Sequence, residues 1–221
     1  MNKYQNNAKI AGLLFLVAMF ASLFGGGLIE SVFAGPESVN AIADNKTLIL
    51  AGILLELLNA VAVVGIAGML FPILRRHNEG MALCYLAFRV LEAVFCSLMV
   101  LAPLSLLELS DISAPDLQII STLEFAQRAA ITDLLIPVFF CLGAFLFYTM
   151  LLRYKLLPGF IAIWGLIAVI LVMILNFMSI TLGANLVLGM VFALPIILNE
   201  IFMGIWLMAK GFNPTAAFLE S

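Results

Sequence analysis

Apolar residues run through this chain in blocks of about 25, each longer than the ~20 residues a helix needs to cross a bilayer, and short polar turns separate the blocks. A membrane strand needs only ~10 residues and alternates polar with apolar, so blocks of this length predict helices. Six are expected, at about 8–33, 46–74, 81–107, 131–152, 158–182 and 186–210. Gly35-Pro36 stops the first helix, and three glycines in a row, Gly25 to Gly27, let a neighbour approach its backbone. The first block has the charged start of a signal peptide (Lys3, Lys9), but its apolar core runs on to Phe33, so it is kept as a helix. In the second, Ala62, Gly65 and Gly68 offer small residues for close packing. Pro72 and the run Arg75-Arg76-His77-Asn78-Glu79-Gly80 end it and force helices 2 and 3 to be antiparallel neighbours.

The longest polar stretch, Ser110 to Ala130, contains Asp111 and a helix-start pattern at Ser113-Ala114-Pro115-Asp116. It reads as an interfacial helix over 115–130, an extension of helix 4, or a plain loop. Pro137 near the start of helix 4 requires a neighbour to satisfy the carbonyl it frees. Arg153-Tyr154-Lys155 with Pro158-Gly159 makes a basic turn, Gly183 to Asn185 a minimal one, and Gly211 to Ser221 a short tail.

Composition sharpens this into a class. Hydrophobic residues make up 65% of the chain and charged residues 10%, with mean hydropathy +1.21. A soluble domain is about half apolar and about a quarter charged, so the fold class is an all-α integral membrane bundle of six helices in one domain. The placement of charge says more than the net −3. With six spans, Lys3, Lys9, Arg75, Arg76, Arg153, Lys155 and Lys210 share one side and only Lys46 and Arg128 the other. This bias predicts cytoplasmic N- and C-termini. The three cysteines, Cys84, Cys96 and Cys141, all fall in helices without a C-x-x-C pair and read as small apolar residues.

The candidate chemistry lies in charges that a bilayer disfavours. Counting about 1.5 Å per residue from the basic ends, Arg89 lies roughly 13 Å deep, Glu200 roughly 15 Å and Glu92 roughly 18 Å. These levels predict an inner cluster of Arg89, Glu92, Asn199 and Glu200. Glu56 lies roughly 27 Å from that side, so a separate outer polar group is expected from Glu30, Glu56, Asn59, Asp133 and Asn176, with Arg128 nearby. Each mid-bilayer charge costs at least about 2.5–3.5 kcal/mol on insertion scales. Two acids around one Arg leave a surplus carboxylate that takes a proton, a cation or a ligand amine. The same residues also fit an interhelical clamp.

Four landmarks carry a resemblance: Ala8-Lys9-Ile10-Ala11-Gly12-Leu13-Leu14; Ala87-Phe88-Arg89-Val90-Leu91-Glu92-Ala93; Leu151 to Pro158 leading into Ala162-Ile163-Trp164-Gly165; and Leu194-Pro195, Asn199-Glu200, Gly204 to Leu207 and Lys210-Gly211-Phe212. In order and spacing they resemble a prokaryotic membrane family catalogued as domain of unknown function four-three-eight-six. The resemblance implies a six-helix integral membrane protein and brings no substrate or catalytic residue; the expected location is the cytoplasmic membrane.

Enzymatic signatures are sparse. The lone His77 excludes paired axial histidines for haem, and H-E-x-x-H, G-x-S-x-G and a phosphate-binding glycine loop are all missing. No cofactor is implied. Carboxylates without His or Cys partners would favour a hard ion if any metal, and none is assigned. Basic residues scattered in short turns give no nucleic-acid surface. Three functions stay open: a small-molecule or ion-handling protein with a polar pocket between helices 2, 3 and 6, a structural or accessory protein with an ionic clamp, and an intramembrane enzyme on a lipidic substrate using Glu92 and Glu200. The lipid bilayer is the certain partner. A transporter of six spans without internal repeat would be expected as a homodimer.

Overall fold

The computed structural model describes residues 3–33, 42, 44–109, 114–182 and 186–214. The Gly35-Pro36 stop, Asp111, Ser113, the Gly183 to Asn185 turn and the tail beyond 214 lie outside the described residues. Among those described, all regular structure is helical: α1 Lys3–Phe33, α2 Lys46–His77, α3 Glu79–Leu98, α4 Leu101–Glu108, α5 Ala114–Ala130, α6 Ile136–Arg153, α7 Gly159–Leu182 and α8 Leu186–Ala209. A π-helical turn, Ile131–Leu135, joins α5 to α6. Six helical runs are long and apolar enough to cross a membrane: α1, α2, α3 with α4, α5 through α6, α7 and α8. The protein is a multi-pass membrane protein.

The boundaries follow local chemistry. The six-residue turn after helix 2 shrinks to Asn78 alone. Arg75, Arg76 and His77 occupy the last turn of α2, where cations suit the helix dipole, and Glu79 opens α3, where an anion does. The Asn78 side chain accepts from the Met81 N–H at 2.9 Å and caps α3. The third span is broken at Met99-Val100, just before Pro103 in the first turn of α4. The segment expected at 115–130 is helical and runs through the π turn into α6, as an extension of that span.

Each span packs on its neighbours in sequence, and α8 returns to pack on α1, so the six spans close a ring. The ring is apolar outside and carries its buried polar groups inside. On α2, Leu54 and Val61 are 67% and 70% exposed, whereas Glu56 and Asn59 are buried. This inverted pattern is what a lipid environment selects. Backbones meet where side chains vanish. A Cβ on Gly12 would lie 2.5 Å from the Gly204 carbonyl oxygen, and one on Gly52 would lie 3.0 Å from that of Gly25. The glycine run of α1 therefore serves α1–α2 packing through Gly25, while a Cβ on Gly68 of α2 would meet no described atom within 4 Å.

One end of the ring gathers the basic residues. Arg76 lies over the Tyr4 ring at 4.6 Å, and His77 stacks on Tyr154 at 4.8 Å. Gln5 donates to the Phe212 carbonyl at 3.1 Å, and the Asn213 N–H to that of Leu156 at 2.9 Å. The chain's first and last described segments thus meet the second-to-third and fourth-to-fifth turns at a single end.

Candidate functional site

Helical periodicity brings polar residues from separate spans to the middle of the ring. Glu56, Asn59, Val63 and Ile66 of α2 follow one another at spacings of three, four and three, and Arg89, Glu92, Cys96 and Met99 of the third span repeat the same spacing. Residues so spaced share one helix face. On α1, Ala18, Ser22, Gly26 and Glu30 recur every fourth residue, and the small side chains of the first three leave space in front of them. These faces line a cavity of about 390 Å³, to which the fourth span adds Arg128 and Phe140, α7 adds Val172 and α8 adds Glu200. All six spans contribute, where only helices 2, 3 and 6 were expected.

The cavity spans both levels at which polar groups were expected, because the short residues of α1 leave no wall between them. Glu30, Glu56, Asn59, Arg89, Glu92 and Glu200 all face it. Glu30 is exposed and Glu200 half-buried, while Arg89 and Glu92 are each 5% exposed. Asn199 departs from the expected cluster. Successive residues sit about 100° apart around a helix, so with Glu200 turned to the cavity Asn199 points elsewhere. It accepts from the Tyr148 hydroxyl at 2.6 Å and donates to the Ile161 carbonyl at 3.0 Å, tying α8 to α6 and α7. Asp133 is exposed, and its carboxylate accepts from Thr132 at 3.0 Å. Asn176 donates to the Asp133 backbone carbonyl. That carbonyl lies four residues before Pro137, which has no N–H to give it.

Two ion pairs face this space, and they differ in kind. Arg128 forks onto Glu56: one Nη donates to Oε2 at 3.0 Å and the other to Oε1. The first Nη also donates to the Met99 carbonyl at 2.6 Å. Met99 lies four residues before Pro103, so here too a side chain satisfies a carbonyl that a proline leaves free. Bidentate geometry and full satisfaction make this a clamp between the second, third and fourth spans. The other pair, Arg89 with Glu92, sits at i,i+3 on one helix with Nη1 and Oε2 2.9 Å apart. Its geometry is not that of a hydrogen bond, and both Arg89 Nε and Glu92 Oε2 are buried without a hydrogen-bond partner among the described residues. The guanidinium lies 5.6 Å from the centre of the Phe140 ring. Glu200 interacts electrostatically with Arg89 and Glu92 but forms no hydrogen bond or ion pair among the described residues.

Sequence reasoning placed Arg128 only in the neighbourhood of the outer group, read Cys96 as a small apolar residue and assigned nothing to Tyr148 or Met99. The signal for Met99 was the proline four residues on. Cys96, buried on the Arg89 stripe, accepts from Asn59 Nδ2 at 3.8 Å. No curated protein and no solved structure matches the chain. The family described as a domain of unknown function, DUF4386, matches residues 10–211, and the chain belongs to it.

Proposed function

We propose that this protein binds a small molecule or ion in the polar cavity at the centre of its six-span ring, in the cytoplasmic membrane, with the basic end facing the cytoplasm. One observation carries the reading: of two buried charged groups on one cavity, one is fully satisfied and the other is not. Glu56 and Arg128 use their hydrogen-bonding capacity on each other and on a freed carbonyl. Among the described residues Arg89 Nε and the Glu200 carboxylate have no such partners, and Glu92 Oε2 has only its ion-pair contact with Arg89. A half-satisfied polar network inside a protein is worse for stability than an apolar one. Its retention at mid-bilayer is explained by a ligand that completes it. The cavity volume also falls within the range of about 300–1,000 Å³ typical of small-molecule pockets.

Equilibrium unfolding in detergent separates a binding site from a clamp. Glu56→Gln leaves Arg128 without its charge partner and is expected to lose about 3–5 kcal/mol. Glu200→Gln removes a charge that supports no contact and is expected to stay within about 0.5 kcal/mol of the parent, or to gain stability. Should Glu200→Gln and Arg89→Gln each lose as much as Glu56→Gln, with the double mutant recovering most of it, the two residues are a structural pair and the binding reading falls.

A further inference from the structure

The unsatisfied groups also specify what they lack. On the binding reading above, we infer that the ligand is a protonated amine bearing an oxygen acceptor close to its nitrogen and carried on an apolar body, its ammonium seated between Glu92 and Glu200. Charge gives the sign. Beside the closed Glu56–Arg128 pair, the inner site holds Arg89 against Glu92 and Glu200, one cation against two carboxylates. A single positive charge on the ligand balances it. Hydrogen bonding gives the groups. The Glu92 and Glu200 carboxylates accept, which an ammonium with several N–H donors satisfies. The buried Arg89 Nε–H donates, and it needs an acceptor within reach of the same ammonium.

The rest of the wall gives the body. Phe15, Met19, Val63, Ile66, Phe140 and Ile197 surround the charged groups with apolar and aromatic surface. Two aromatic rings there also suit a cation and its neighbouring methylenes. The donor set argues against a bare metal ion. Among the described residues no three or more His, Cys, Asp and Glu side chains are grouped to hold one, and hard divalent ions take about six to eight oxygen ligands. An ammonium needs only two or three acceptors.

The test uses the full chain in lipid nanodiscs and three probes that share a phenyl ring and a hydroxyl. Phenylethanolamine is cationic at neutral pH, mandelate anionic and styrene glycol neutral. Binding is followed by titration calorimetry and by the shift of the unfolding midpoint. Phenylethanolamine is expected to bind and to raise the midpoint, with affinity falling roughly ten- to a hundredfold in Glu200→Gln, as loss of a charge-assisted hydrogen bond implies, and partly restored in Glu200→Asp. Val63→Trp fills the cavity without touching a charge and is expected to abolish binding, which covers the case that Glu200→Gln does not fold. Binding of mandelate or styrene glycol as tight as the amine's overturns the assigned charge while leaving small-molecule binding in place. Binding of the amine that survives both Glu200→Gln and Val63→Trp overturns the assigned seat. No binding by any probe overturns the inference, and the Glu200→Gln unfolding result then judges the cavity reading on its own.

Discussion

Proline removes a donor, and in a bilayer no water replaces it. Two prolines of this chain show the same remedy. Pro103 leaves the Met99 carbonyl to Arg128, and Pro137 leaves the Asp133 carbonyl to Asn176. The second case isolates the effect, because Asn176 carries no charge. Asn176→Leu is expected to lose about 0.6–1.7 kcal/mol, between the average and the maximum for interhelical hydrogen bonds in a membrane protein. Pro137→Ala returns the missing N–H, so in that background the same Asn176→Leu change is expected to lose markedly less. Unfolding of the two single mutants and the double in detergent measures the coupling. Strict additivity would mean that Asn176 matters for packing alone. The demand at Pro137 was legible in the sequence, since a proline inside a span calls for a donor. Which donor answers it was not, because Asn176 comes from a distant span and its partner is fixed only by how the ring closes.

At the level of the helix, the stripe is the unit that could be read and the rotation is what could not. Glu56 with Asn59 and Arg89 with Glu92 were recognisable as two faces, because polar residues at i,i+3 stand out against Leu and Val. The matching face of α1 was silent. Ala18, Ser22 and Gly26 carry no chemistry, and the neighbouring triple glycine drew attention to the backbone instead. Asn199 and Glu200 were grouped although adjacent positions cannot share a face, and the structure sends them to different partners. Small residues also decide how closely the spans approach. α1 and α8 touch through Gly12 and Gly204, each of whose Cβ positions faces the other's carbonyl oxygen. Gly12→Ala must push two backbones apart where the ring closes on itself. It is expected to lower stability by about 1–3 kcal/mol, as overpacking of a fitted interface does. Gly68→Ala, on the same kind of helix but facing open space, is expected to be neutral or slightly stabilising through helix propensity. Equal effects at the two positions would show that the close approach is not what the glycine provides.

The ring as a whole has one end rich in positive charge, and this asymmetry predicts its orientation. Arg75, Arg76, Arg153, Lys155 and Lys210 lie at that end, where four chain segments meet. The opposite end keeps only Lys46 as an exposed cation among the described residues, because Arg128 is buried in its pair with Glu56. The bias is therefore sharper in the folded molecule than a count of residues suggests, and the positive-inside rule predicts that the basic end faces the cytoplasm. Glu30, the exposed acid of the cavity lining, sits near the end of α1 that lies beside Lys46. The predicted orientation would therefore turn the Glu30 end of the cavity away from the cytoplasm. Cysteine labelling of intact cells tests both statements together. In a Cys84→Ser background, which removes the exposed native thiol while Cys96 and Cys141 stay buried, a membrane-impermeant maleimide is expected to react with Lys46→Cys and Glu30→Cys. Lys155→Cys is expected to react only after lysis. The reverse pattern would place the basic end outside and make the cavity a cytoplasmic one. A ligand amine would then reach Glu200 from within the cell.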